Sequence, residues 1–222
     1  MRCLELFAGT QSFSKGFLRH NRENTVVTMD ILPKFNPTVV CDILTWDYTA
    51  YPPGHFDVMW CSPPCQEYSK AKTVGGRNLT QADACVRRCF EIIDYLQPRA
   101  WLLENPATGL LPRRMEALRP GLSCVIVDYC AYGANYRKRT AIWHSSGLAL
   151  TLETCRGAGA CPAMIENRHR GSCANTTPRY NTIGSMTAWE KCAIPEGLID
   201  YLVAATSLPS TQQARLQAKP LQ

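Results

Sequence analysis

A chain of 222 residues suits one ordinary domain with room for a small insertion, and its 45% apolar and 19% charged content excludes a disordered polymer. No apolar run reaches the ~18 residues of a membrane span. An acid at Glu5, followed by Ala8-Gly9-Thr10, makes a poor secretory signal, so the expected setting is intracellular. The formal charge of +6 permits a nucleic-acid partner without requiring one. Without a signal, 12 cysteines read as reduced thiols serving as core residues, metal ligands or a nucleophile.

Short β-branched runs alternate with helical patterns over the first 145 or so residues. Residues 3–7, 25–29, 56–61, 100–103, 123–127 and 140–143 read as strands. Helical spacing marks residues 13–20, through Phe13 and Phe17, and residues 81–96, through Cys85, Cys89, Ile92, Ile93 and Leu96. Pro98 stops the second. Such alternation predicts an α/β fold with a mostly parallel sheet covered on both faces. Its ligands belong beyond the carboxyl ends of the strands. After about residue 150 the periodicity fails, and residues 154–178 read as a loop-rich insertion with little apolar content. Residues 194–205 form an amphipathic helix with Leu198, Ile199, Leu202 and Val203 on one side. The expected division is a catalytic domain over 1–150, an insertion over 151–182, a returning segment over 183–208 and a flexible tail over 209–222.

Three strand ends carry candidate chemistry. The first strand runs into Phe7-Ala8-Gly9-Thr10-Gln11-Ser12, where small residues let the backbone approach a ligand closely. Asp30 ends the second strand, placed for a ribose hydroxyl, and Asp42 follows as a candidate partner for an adenine amine. A tight turn and two capping acids explain the same residues, and spacing alone leaves the choice open. Farther on, residues 56–61 feed Ser62-Pro63-Pro64-Cys65-Gln66-Glu67-Tyr68-Ser69. Two prolines stiffen the approach to Cys65, which suits a nucleophile. A core cysteine, a structural turn and a Cys61/Cys65 metal pair are the competing readings. Glu104-Asn105-Pro106 follows the apolar Trp101-Leu102-Leu103, either as a buried acid that handles a proton or as a turn acid capping the next helix.

Taken together, these residues resemble the DNA cytosine-C5 methyltransferase family. Leu4-Glu5-Leu6-Phe7-Ala8-Gly9-Thr10 through Gly16-Phe17 is similar to its S-adenosylmethionine loop, and Pro63-Pro64-Cys65-Gln66 with Ser69 to its catalytic signature. Glu104-Asn105 resembles its glutamate motif, and Tyr132 to Arg139 its paired-arginine motif, with Asn135 in place of glutamine. The resemblance implies a Rossmann-like S-adenosylmethionine-dependent fold. It implies that Phe7, Ala8, Gly9, Thr10, Asp30, Ile31, Asp42, Ile43 and Pro63 bind S-adenosylmethionine, and that Cys65, Glu104, Arg137 and Arg139 act on a cytosine flipped from double-stranded DNA. The two arginines would hold the base and a phosphate and lower the Cys65 pKa.

Residues 66–78 are polar and contain Gln66, Ser69, Lys70, Lys72 and Arg77, with Gly75-Gly76 as a hinge. They read as a lid over a phosphate backbone or as an ordinary solvated loop. In the short recognition segment, Cys155, Cys161, His169 and Cys173 offer four soft ligands where there is little core. That composition suggests structural zinc, against scattered free thiols, with His144 and Cys192 as substitutes. RNA or nucleotide methylation, or a non-catalytic DNA-binding relative, are the alternative functions.

Overall fold

A computed structural model describes residues 1–171, 190 and 192–207. Seven strands form one sheet: β1 (Arg2–Leu6), β2 (Thr25–Asp30), β3 (Val39–Val40), β4 (Val58–Cys61), β5 (Ala100–Pro106), β6 (Cys124–Asp128) and β7 (Arg139–His144). Their order is β3-β2-β1-β4-β5-β7-β6. β7 pairs antiparallel with both β5 and β6, whereas β1–β2, β1–β4, β2–β3 and β4–β5 are parallel. This is the expected α/β, Rossmann-like arrangement with one reversed strand.

Strand residues alternate between two cores, as a period of two requires. Leu4, Leu6, Met59, Cys61 and Leu103 pack on one face against α2 (Leu79–Leu96) and α3 (Leu111–Leu118). Cys3, Val58, Trp60 and Leu102 pack on the other against α1 (Ser12–His20) and α4 (Glu196–Ser207). Cys89 is fully buried, and Leu198, Ile199, Leu202 and Val203 face the core as their spacing predicts. A Cβ at Gly16 would overlap Ile199, so the glycine lets α1 and α4 approach. Glu5 sits on the same side of β1, 2% exposed, and accepts the Ser14 N–H at 2.9 Å. It thereby caps α1 from beneath, where Gln11 at the helix start supplies no side-chain cap.

Four elements carried too little periodicity to be expected: β3, α3, and the hairpin of β8 (Met164–Ile165) with β9 (Arg168–His169) inside the insertion. Residues 172–189 and the tail over 209–222 lie outside the described residues. Among the described residues, no helix is long and apolar enough to cross a membrane.

Candidate active site

The chain runs from β1 outward to β2 and β3, then returns to β4 on the other side of β1. Ligands of open α/β sheets sit at such a switch, beyond the strand carboxyl ends. The two loops there are residues 7–11 and the turn carrying Cys65.

The first loop is shaped by three left-handed residues, Phe7, Gly9 and Gln11. A Cβ on Gly9 would meet only the Phe7 carbonyl, at 3.9 Å, so the space above the loop is open. Asp30, 7% exposed, accepts the Gly9 N–H on one oxygen and the Leu32 N–H on the other, each at 2.8 Å. The buried Ala8 donates its N–H to the Met29 carbonyl, and the Thr10 hydroxyl pairs with Ser12. Beside this loop Ile31 is 58% exposed, an apolar surface at the strand end. Asp42 accepts the Leu44 N–H and holds its own turn. Ile43 is 3% exposed and packs with the α2 face.

Rigid fastening marks the second loop. Ser62 donates its N–H to the Leu6 carbonyl and its hydroxyl accepts from the Trp60 indole. The Asn105 amide donates to the Pro63 carbonyl at 2.9 Å. Downstream, Tyr68 returns its N–H to the Cys65 carbonyl, and its buried hydroxyl bonds Asp83, which is paired with Arg114. Cys65 is thus held on both sides and is half-buried. Cys61 points into the core, which removes the metal-pair reading.

Glu104 lies within β5, opposite Ile142 of β7, so the turn-acid reading fails. Tyr129 donates its hydroxyl to Glu104 Oε1 at 3.1 Å, and Lys138 Nζ stands 3.3 Å from the same oxygen. Burial opposes the Lys138 charge, but Glu104, Tyr129 and Cys65 outweigh it and hold its pKa above lysine's ordinary range. Burial, then the charge of Glu104, pushes the Cys65 thiol up, and Lys138 opposes that rise. Side chains alternate along an extended segment. Arg137 and Arg139 accordingly point away from Lys138, and both pair with Asp128, at 2.9 and 3.4 Å. The expectation that the arginines set the thiol's electrostatics is corrected: Lys138 does so.

Within the proposed lid, Arg77 donates to the carbonyls of Glu67, Ser69 and Lys72, and Lys72 pairs with Glu67 at 2.5 Å. Those two cations fold the loop upon itself. Gln66 and Lys70 are exposed, as is the loop tip at Val74, 85% exposed, beside the left-handed Gly75.

In the insertion, Cys155, Cys161 and His169 do come together. The fourth group beside them is Cys130, from the turn after β6, and Cys173 lies outside the described residues.

The family model for C-5 cytosine-specific DNA methylases matches residues 1–118. The chain is also 37% identical, over 187 residues, to a protein named Probable DNA (cytosine-5)-methyltransferase from Frog virus 3 (isolate Goorha), covering 77% of this chain and 82% of that one. The chain belongs to the C-5 cytosine-specific DNA methylase family. Methyl transfer from S-adenosylmethionine to cytosine C5 of DNA is the activity this membership carries. The Type II methyltransferase M.AgeI of Thalassovita gelatinovora is 26% identical over 176 residues, covering 64% of this chain and 39% of that one. Among solved structures, Entamoeba histolytica methyltransferase EhMeth aligns with a TM-score of 0.49 at 15% identity, over 65% of this chain. The S. pombe Dnmt2 methyltransferase aligns with a TM-score of 0.44 at 18% identity, also over 65%. This chain covers 52% and 50% of those two.

Proposed function

We propose that this methylase attacks C6 of a cytosine flipped out of duplex DNA with Cys65, with Glu104 on the base's N3/amino edge. The supporting observation is the Cys65–Glu104–Lys138 group at the carboxyl ends of adjacent strands β4 and β5. A base inside a duplex cannot reach a half-buried thiol, so flipping, at a cost of a few kcal/mol, is part of the reading. Addition of the Cys65 sulfur at C6 breaks the ring's aromaticity and makes C5 nucleophilic. Tyr129 and Lys138 converge on Glu104 Oε1, which leaves Oε2 for the base. Lys138 acts through the thiol and the acid as a positioning residue. Once C5 carries the methyl, its proton leaves to solvent and Cys65 departs as the thiolate, which restores the aromatic ring.

S-adenosylmethionine, when bound, supplies an electrophilic methyl on its sulfonium sulfur. The residues present fit it: the open loop over Gly9, the exposed Ile31 and the fixed turn at Pro63 surround the switch point. Asn105 Oδ1 adds a buried acceptor that has no partner among the described residues. Phe7, Ala8, Gly9, Thr10, Asp30 and Ile31 would hold the molecule, with Asp30 acting first by shaping the loop. Gln66, Ser69, Lys70 and the half-exposed Arg137 and Arg139 are the groups for the DNA strand, and the site of action is inside the cell.

The test is transfer of labelled methyl to matched DNA, RNA and free nucleotide, with 5-fluorocytosine DNA as a trap. C5-methylation of DNA and a covalent Cys65 adduct are expected. Transfer to RNA or nucleotide alone would replace the substrate, and transfer without an adduct would remove Cys65 from the mechanism.

A further inference from the structure

The Cys130, Cys155, Cys161 and His169 donor atoms all lie within 4.8 Å of one another. His169 Nε2 stands 3.5 Å from Cys155 Sγ and 3.6 Å from Cys161 Sγ. Zinc bonds of about 2.3 Å to sulfur and about 2.0–2.1 Å to nitrogen, at a tetrahedral angle, give a sulfur–nitrogen edge of about 3.6 Å. The two His169–cysteine edges thus already stand at the spacing of a tetrahedral shell, and Cys130 lies close enough, within 4.8 Å of the others, to complete it. We propose that these four residues form a structural zinc site that clips the insertion to the β6–β7 corner of the catalytic domain.

Each ligand comes from a different local structure. Cys130, 1% exposed, belongs to the short helical turn Tyr129–Tyr132 that follows β6. Cys155 begins the insertion and donates its N–H to Asp128 at 2.9 Å. Cys161 closes a turn through its N–H to the Gly157 carbonyl, and His169 ends the β8–β9 hairpin. The apolar material at this junction is slight: Cys130, Cys161 and Ala163 buried, with Cys155 and Met164 against them. So small a core stabilises a loop-rich segment poorly, whereas a bound zinc contributes folding free energy directly. Three soft sulfurs and one imidazole in a tetrahedron select zinc over the hard oxygen-seeking cations. On binding, three thiol protons leave to solvent and the centre keeps one net negative charge. Arg137 and the Cys155 N–H share the Asp128 carboxylate, which sets a guanidinium beside that charge.

Cys130 also gives the site a line to the chemistry. Its neighbour Tyr129 donates to Glu104, and Asp128 holds both arginines that flank Lys138. Loss of the metal is expected to loosen this corner and lower methyl transfer at least several-fold, with S-adenosylmethionine affinity unchanged. That consequence rests on the proposed mechanism; the metal content does not.

Full-length protein, expressed with zinc present and kept from chelators, would be assayed by elemental mass spectrometry. One equivalent of zinc is expected, falling in Cys130→Ser and Cys155→Ser and persisting in Cys173→Ser. Less than about a tenth of an equivalent in the wild type would overturn the site. So would a full equivalent in Cys130→Ser, or an intact mass showing a disulfide among the three cysteines. Should the variants fail to fold, cobalt(II) exchanged into the wild type provides the second reading. A tetrahedral ligand-field band with charge-transfer intensity for three thiolates is expected, and intensity for two or four would overturn the ligand set.

Discussion

The two loops that meet at the β1/β4 switch are built in opposite ways. On the residue 7–11 side, shape comes from backbone conformation and from polar groups already spent on the protein: both Asp30 oxygens are bonded to N–H groups of the chain. On the Cys65 side, a carboxylate, an ammonium, a phenol and a thiol are gathered in a largely buried space, where Glu104 raises and Lys138 lowers the Cys65 pKa. In the proposed function, the first side binds the cofactor and the second acts on the base. Damage to the first is expected to appear as lost affinity, and damage to the second as lost rate.

Removing the nucleophile separates them most sharply. Cys65→Ala is expected to lower methyl transfer by about 10⁴-fold or more while S-adenosylmethionine binding by calorimetry stays at the wild-type value. Turnover near wild type in a clean preparation would remove the covalent mechanism, and a parallel loss of cofactor affinity would erase the division between the sides.

Lys138→Met is the next largest. Its charge lowers the Cys65 pKa against burial and Glu104, so its removal raises that pKa further. At any pH below the thiol pKa, each unit of rise cuts the thiolate fraction tenfold, so iodoacetamide labelling of Cys65 should move its pH profile to higher pH. The rate of transfer is expected to fall by roughly 10²–10³-fold, as for loss of one aimed charge in a preorganised site. Lys138→Arg should recover most of the profile. A profile unmoved in Lys138→Met would mean that Arg137 or Arg139 sets the thiol after all.

Most strands and the order of chemistry-bearing turns were legible because period-two apolar runs and proline-stiffened strand ends are local properties. Glu104 and Cys65 were found that way. Lys138, Cys130 and Glu5 were not, and each for a tertiary reason. Lys138 matters through two residues more than thirty positions away, and an Arg-Lys-Arg run does not say which side chain the strand turns inward. Cys130 stands outside the insertion it joins, so clustering in sequence favoured Cys173. Glu5 caps a helix that starts seven residues later, a distance at which no capping pattern applies. Short pairings such as Val39–Val40 carry too few residues to show a period.

Glu5 tests whether the binding side also holds a titrating group. Burial raises its pKa from 4.5 to about 7, although the Ser14 N–H pulls the other way. Glu5 therefore binds more protons in the folded chain than in the unfolded one between those values, so its contribution to stability is fully present below about pH 4.5 and is lost as pH rises through 7. The loss amounts to roughly 3 kcal/mol over that window. Glu5→Gln keeps an acceptor for Ser14 without a charge. Its stability in urea is expected to stay flat relative to wild type from pH 5 to 8, where the wild type weakens. Parallel curves for the two proteins would show that Glu5 is ionised throughout.

The smallest effect belongs to Asp30, where the two accounts of the binding side part. If the acid serves chiefly to hold the loop, its loss acts through Gly9 and Leu32, whose N–H groups lose their acceptors. Asp30→Ala strands both and should weaken S-adenosylmethionine binding by about 1–3 kcal/mol, with a lower Tm even in the absence of the cofactor. Asp30→Asn keeps one acceptor oxygen but turns an N–H toward the other donor, so it should fall between Ala and wild type in both measurements. A direct bond to the ribose would instead leave the unliganded Tm almost unchanged while affinity drops. Calorimetric titration alongside thermal melts of the free protein distinguishes the two, and affinity unchanged in Asp30→Ala would show that Phe7, Gly9 and Gln11 hold the loop's shape by backbone conformation alone.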